Sequence, residues 1–135
     1  MCNENNCTCF DETLKTIIKL QKQGQCTDAC DATCDRPFLG TSPVTCQYNT
    51  RPISLYTCPN ATPWTMPYTL NGDTGTSTVF RAETVEGCCL TCRVLAPNPD
   101  SDSQNPYVAT NNFFTINLNC VGSLRCLDDT FIACI

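Results

Sequence analysis

The sequence predicts a mainly β protein: a small antiparallel β-sandwich or barrel-like core, with one N-terminal α-helix and a flexible cysteine-bearing N-terminal arm. Three observations lead there. Helical periodicity is confined to one stretch near the N-terminus, a run of prolines and glycines follows it, and strict apolar/polar alternation appears near residues 113–120. A chain of 135 residues is one domain by default and is long enough to build its own core.

Residues 1–9 are polar, carry Cys2, Cys7 and Cys9, and form an arm too short for a core of its own. The remainder, 10–135, is expected to be a single globular domain, with a helix over about 9–23 and a β core over about 51–134. In the helix, Phe10, Leu14, Ile17 and Ile18 make one apolar stripe, Thr8 can cap the start, and Gly24 is placed to end it. Cys26, Cys30 and Cys34 then recur every four residues and would share a face if that segment were helical. Pro37, Gly40, Pro43, Pro52, Pro59, Pro63 and Pro67 rule out a long helix downstream and imply loops around short strands.

Four strands are predicted, at about 52–58, 77–85, 88–95 and 113–120. In the first, Ile53 and Leu55 look inward, Cys58 falls on the opposite face, and Pro52 suggests an edge position. In the third, Cys88, Leu90, Cys92 and Val94 share the apolar face, while Cys89 points outward. In the fourth, Phe114, Ile116, Leu118 and Cys120 alternate with polar residues, so Cys120 is expected to point inward. Asn71-Gly72 is a hairpin signal of type I′, and Glu86-Gly87 joins the second and third strands in a meander. Residues 96–106 form a polar, proline-rich loop.

Composition excludes several functions. The formal charge is −5 and the eight basic residues are scattered singly, which argues against nucleic-acid binding. No apolar run reaches the 18 or so residues of a membrane span. Histidine is absent, removing the usual general base and the Cys-His nucleophile pair; the carboxylates form no constellation, so no enzyme and no cofactor are expected.

Cysteine carries the information. Fourteen cysteines exceed what folding at this length requires, yet the start, MCNENNCTCF, lacks the basic and apolar segments of an export signal, so synthesis in a reducing compartment is expected. Cys89-x-x-Cys92 and Cys7-x-Cys9 offer thiolate pairs for zinc, but a second Cys-x-x-Cys is lacking and strand alternation separates Cys89 from Cys92. A thiolate zinc module is therefore the alternative reading. A thioredoxin-like site fails because no helix start follows the motif. The reading that fits the phases divides the cysteines. Cys2, Cys7, Cys9, Cys58, Cys89 and Cys134 are candidates for disulfides between chains. Cys88, Cys92, Cys120 and Cys126 are candidates for buried or internally bridged positions. Cys26, Cys30, Cys34 and Cys46 have no assignment. Three or more outward thiols per chain can link a subunit to several neighbours, the minimum for a covalent sheet.

The segments CDRPFLG (34–40), RPISLYT (51–57), VFRAETV (79–85), GCCLTCRVL (87–95) and NLNCVGSLRCL (117–127), in this order, resemble the CotY, CotZ and ExsY family of cysteine-rich spore coat and exosporium proteins. Cys34, Cys88, Cys89, Cys120 and Cys126 match family cysteines; Cys92 and Cys134 look like additions, Gly122 stands where another cysteine is common, and Asn117 where an aspartate is usual. The resemblance implies a structural protein made in the mother cell cytoplasm. It would self-assemble, alone and with related coat proteins, into a two-dimensional lattice of hexagonal type around the spore, locked by disulfides once the surroundings become oxidising. Fourteen cysteines allow about 1.4 × 10⁵ complete pairings, so connectivity stays open.

Overall fold

The computed structural model describes residues 8–24, 48–58, 60–133 and 135. The α-helix of the described residues, α1, spans Thr8–Gln23. Leu14, Ile17 and Gln21 are buried along one stripe, with Phe10 and Ile18 packed beside it. Asp11 in the first turn pairs with Lys15 one turn later (2.9 Å), the favourable acid-first orientation on a helix. The helix stops at Gly24, whose N–H donates to the Leu20 carbonyl (3.0 Å). Close approach is why glycine stands there, since a Cβ would lie 2.4 Å from the Tyr48 carbonyl oxygen.

The strands are β1 (Ile53–Thr57), β2 (Thr62–Pro63), β3 (Met66–Leu70), β4 (Asp73–Ser77), β5 (Phe80–Glu86), β6 (Cys89–Pro97), β7 (Tyr107–Asn117) and β8 (Val121–Cys126). All pairings are antiparallel. The main sheet runs β1-β5-β6-β7, with β8 and the short β2 also on β1. It curls into a half-barrel whose edges are β7 and β8. Side chains from α1 and the concave face fill it: Leu14 and Ile17 meet Ile53, Leu55, Phe80, Ala82, Leu90, Cys92, Val94 and Ile116. The rings of Phe80 and Phe114 pack edge to face, centroids 4.8 Å apart, the arrangement their quadrupoles favour.

Several boundaries differ from expectation. Among the described residues eight strands form rather than four. The β3–β4 hairpin turns at Asn71 (φ 53°) and Gly72 (φ 86°), the paired left-handed residues of a type I′ turn. Its strands escape periodicity because Pro67 and the polar run Asp73–Ser77 carry no apolar alternation. The hairpin packs on β6 and β7, burying Leu95 and Ala96, so this end of the sheet is covered on both faces. β7 starts at Tyr107, since Leu95, Ala96 and Pro97 pair with Ala109, Val108 and Tyr107. The intervening loop is tied by its own polar groups: Asp100 N–H donates to Asn98 Oδ1 (2.9 Å) and Asp102 N–H to Asp100 Oδ1 (3.0 Å). β1 is an inner strand, with β8 along one side and β5 and β2 on the other; Pro52 lies just before it, where its missing N–H costs no ladder bond.

A buried polar network joins helix, sheet and C-terminal segment. Gln21 donates to the Ala82 carbonyl (2.8 Å) and accepts from Arg51 N–H (3.1 Å). Arg81, in the VFRAETV segment, is 6% exposed and donates to Thr50 Oγ1, to the Asn49 carbonyl and to Glu83 (2.6 Å). Register shifts between Ala82 and Thr84, leaving Glu83 as the extra residue of a bulge that aims its carboxylate at Arg81. Asn49 in turn reads both backbone groups of Ile132 (2.8 and 2.9 Å), holding the C-terminal segment against the core.

Candidate functional site: exposed thiols on the β1–β8 edge

β8 has β1 as its strand neighbour and forms one edge of the sheet, and the ends of this pair carry three free, exposed thiols: Cys58, Cys120 and Cys126. Cys58 follows β1 directly, and its N–H donates to the Cys120 carbonyl (3.2 Å), extending the ladder beyond Thr57↔Val121. The two thiol-bearing residues are therefore cross-strand neighbours. Gly122 makes room for them, because a Cβ there would stand 2.7 Å from Cys58 Sγ. Cys126 lies opposite Ile53 at the far end of β8. Six residues of strand set the two ends about 20 Å apart.

Period-two alternation separates the faces of β6 and breaks at the end of β7. Cys120, expected inward, is exposed. The strand ends at Asn117, whose side chain accepts the Asn119 N–H (2.9 Å) and caps a 3₁₀ turn over Leu118–Cys120. Three residues per turn replace the period of two, so Leu118 stays buried and Cys120 swings out. Cys126, also expected internal, is exposed because an edge strand is flanked on one side only.

Cys88, in the β5–β6 turn, and Cys92 are fully buried. Cys88 and Cys89 are both disulfide-bonded, and Cys89, expected on the outward face, is half-buried opposite Asn117 and Glu86. Burial pushes the Cys92 thiol far above its usual range, with the Glu83 carboxylate adding to the shift. Cys92 is thus a small apolar core residue, lacking the thiolate needed for exchange or metal ligation. Cys9, in the first turn of α1, is exposed and free. Cys2, Cys7, Cys26, Cys30, Cys34, Cys46 and Cys134 lie outside the described residues.

The charges are less scattered than the sequence order suggests. Lys15, Lys19 and Lys22 fall at helical spacing on α1 and share one side of it. Arg51 forks onto Asp129 (2.8 and 3.2 Å), and Arg93 donates to the Thr110 carbonyl while lying 4.4 Å over the Phe113 ring. Among the described residues no three Cys, Asp or Glu side chains converge to hold a metal, and no helix is long and apolar enough to cross a membrane. The chemistry this surface offers is thiol–disulfide coupling to whatever lies against the β1–β8 edge.

No curated protein and no solved structure matches the chain. A family model, spore coat protein Z, matches residues 1–112, which include Cys9, Cys58, the buried Arg81 and the β6 cysteines. Over that length the chain belongs to the spore coat protein Z family, and its role is that of a structural protein of the spore coat.

Proposed function

We propose that the protein is a self-assembling building block of the spore's outer layer, coat or exosporium, whose copies tile into a two-dimensional lattice and are then cross-linked by disulfides between chains. The observation that carries this reading is the division of thiols: Cys92 is sequestered in the core, while Cys58, Cys120 and Cys126 are free and exposed at the two ends of the β1–β8 pair. Exposed free thiols are a liability for a soluble monomer, and they suit a subunit meant to couple. Cys58 with Cys120 at one end of the β1–β8 pair, Cys126 at the other and Cys9 on α1 make three separate stations per chain, the valence a sheet needs.

Noncovalent contacts set the geometry and oxidation follows, since random coupling yields aggregates without order. Synthesis in the mother cell cytoplasm keeps the thiols reduced until assembly, and related coat proteins are the expected neighbours in the layer. Electron microscopy of the recombinant protein, paired with gels run with and without reductant, tests this. Ordered sheets, and oligomers that persist through heating until reductant is added, are expected. Replacing Cys9, Cys58, Cys120 and Cys126 together by Ser should leave sheets that dissolve on dilution. A single monomer band without reductant from the wild-type protein would refute the reading.

A further inference from the structure

The structure places every lysine of this acidic chain beside one groove. Lys15, Lys19 and Lys22 border a cleft of about 390 Å³ between α1 and β5, with Ile18 and Val85 as its apolar walls. Its floor is a strand edge. β1 leaves β5 after Ile53↔Phe80, so among the described residues β5 has a strand neighbour, β6, on one side only from Thr84 to Glu86. Lys15 is paired with Asp11, but Lys19 and Lys22 have no ion-pair partner among the described residues. The carboxylates on the β5 side do not cancel the lysines: Glu83 is committed to Arg81, leaving Glu86.

The complementary surface is the β6–β7 loop. Asp100 and Asp102 are both exposed at its tip. The loop is preorganised by the Asn98 and Asp100 turns, by Asn98 Nδ2 donating to the Asn105 carbonyl (2.8 Å) and by Asn98 N–H donating to the Pro106 carbonyl (2.9 Å). Little ordering cost therefore remains on binding. β6 runs from Cys89, which pairs with Glu86 of the groove lining, to Pro97 at the loop, a span of about 26 Å. The loop cannot reach its own groove.

We propose that the α1–β5 groove receives the Asp100–Asp102 turn of a second copy of the chain. This deepens the self-assembly reading and rests on it. The contact joins two different surfaces, so it is heterologous and propagates from copy to copy in a row rather than closing as a dimer. Such rows need lateral contacts to become a sheet, and the thiol-bearing β1–β8 edge lies on other strands.

The test mixes unlabelled and ¹⁵N-labelled wild-type protein whose exposed thiols are capped with iodoacetamide, couples it with a zero-length carbodiimide, and maps the products by mass spectrometry. Mixed-isotope peptides joining Lys19 or Lys22 to Asp100 or Asp102 are expected. Two variants then decide the pairing. Lys19→Glu with Lys22→Glu, and Asp100→Lys with Asp102→Lys, should each lower the assembly rate on the order of tenfold or more, because like charges now face each other. Mixed together, they should co-assemble, since each supplies the partner the other lacks. Lysines that couple only within a chain or to other carboxylates, or variants that assemble alone as well as wild type, overturn the contact. Wild-type sheets that form without these cross-links defeat this contact and leave the lattice reading standing; absence of any wild-type assembly defeats both.

Discussion

Replacing Asn49 by Ala is expected to loosen the C-terminal segment, and its magnitude follows from three hydrogen bonds. Asn49 is 5% exposed; its Nδ2 donates to the Ile132 carbonyl (2.8 Å), and its Oδ1 accepts from Ile132 N–H (2.9 Å) and from Thr50 Oγ1 (3.0 Å). Two outcomes are available to Asn49→Ala. If the segment stays, two buried backbone groups of Ile132 lose their partners, at about 1–2 kcal/mol each. If it peels away, those groups regain water but Ile132, now 1% exposed, loses its burial at about 1.5–3 kcal/mol. The cheaper route sets the loss, which is therefore about 1.5–3 kcal/mol. With a urea slope of about 1–3 kcal/mol/M, the unfolding midpoint should fall by roughly 1–2 M. Asn49→Asp keeps the acceptor but sets a carboxylate oxygen against the Ile132 carbonyl, and it should be no better than Ala. A loss under about 0.5 kcal/mol with an unchanged slope, for Asn49→Ala, would refute the reasoning, because it would mean Ile132 finds partners elsewhere.

Arg81→Ala should cost about 3–5 kcal/mol in the same assay, since it leaves Glu83 with only Arg93 Nε at 3.8 Å. Alkylation of the native protein should modify Cys58, Cys120 and Cys126 while Cys92 stays unreacted until denaturant is added; comparable native labelling of Cys92 would contradict its buried, high-pKa state. Gly72→Ala meets no atom within 4 Å but must hold φ at 86°, so a loss of about 1 kcal/mol is expected, with Gly72→Asn milder; equal stability of all three would show that the turn relaxes. Hydrogen bonding from Arg51 holds the Asp129 carboxyl below its usual range. Its contribution is therefore present above the unfolded value of about 4 and lost as pH falls through the folded one. With these side chains 38% and 40% exposed, the effect is a few tenths of a kcal/mol at most, and Asp129→Asn should flatten that part of the acid limb.

What could be read without coordinates was whatever repeats locally. The α1 stripe needed only Phe10, Leu14, Ile17 and Ile18 at helical spacing, and the structure starts the helix one residue earlier, at Thr8. The faces of β6 followed from alternation, and Asn71-Gly72 announced its turn because few other pairs tolerate two positive φ values. Strands of weak pattern escaped: β4 has no apolar alternation, and β8 owes its place to pairing with β1 some 70 residues away. Alternation also failed silently where it stopped applying, as at Cys120, because period two assumes a strand continues and only the Asn117 cap reveals that it ends.

Sequence alone therefore determined that this is a β-rich, histidine-free, cysteine-surplus chain with an N-terminal helix, and the order of its motifs pointed to the coat family. Tertiary structure decided which thiols face outward among those described, because exposure depends on edges, turns and neighbours rather than on residue type. It also decided that Arg81 and Asn49 hold the fold from within, and that three lysines spaced along α1 converge on a single groove. Each of these is a relation between segments distant in the chain, and such relations exist only once the chain has closed on itself.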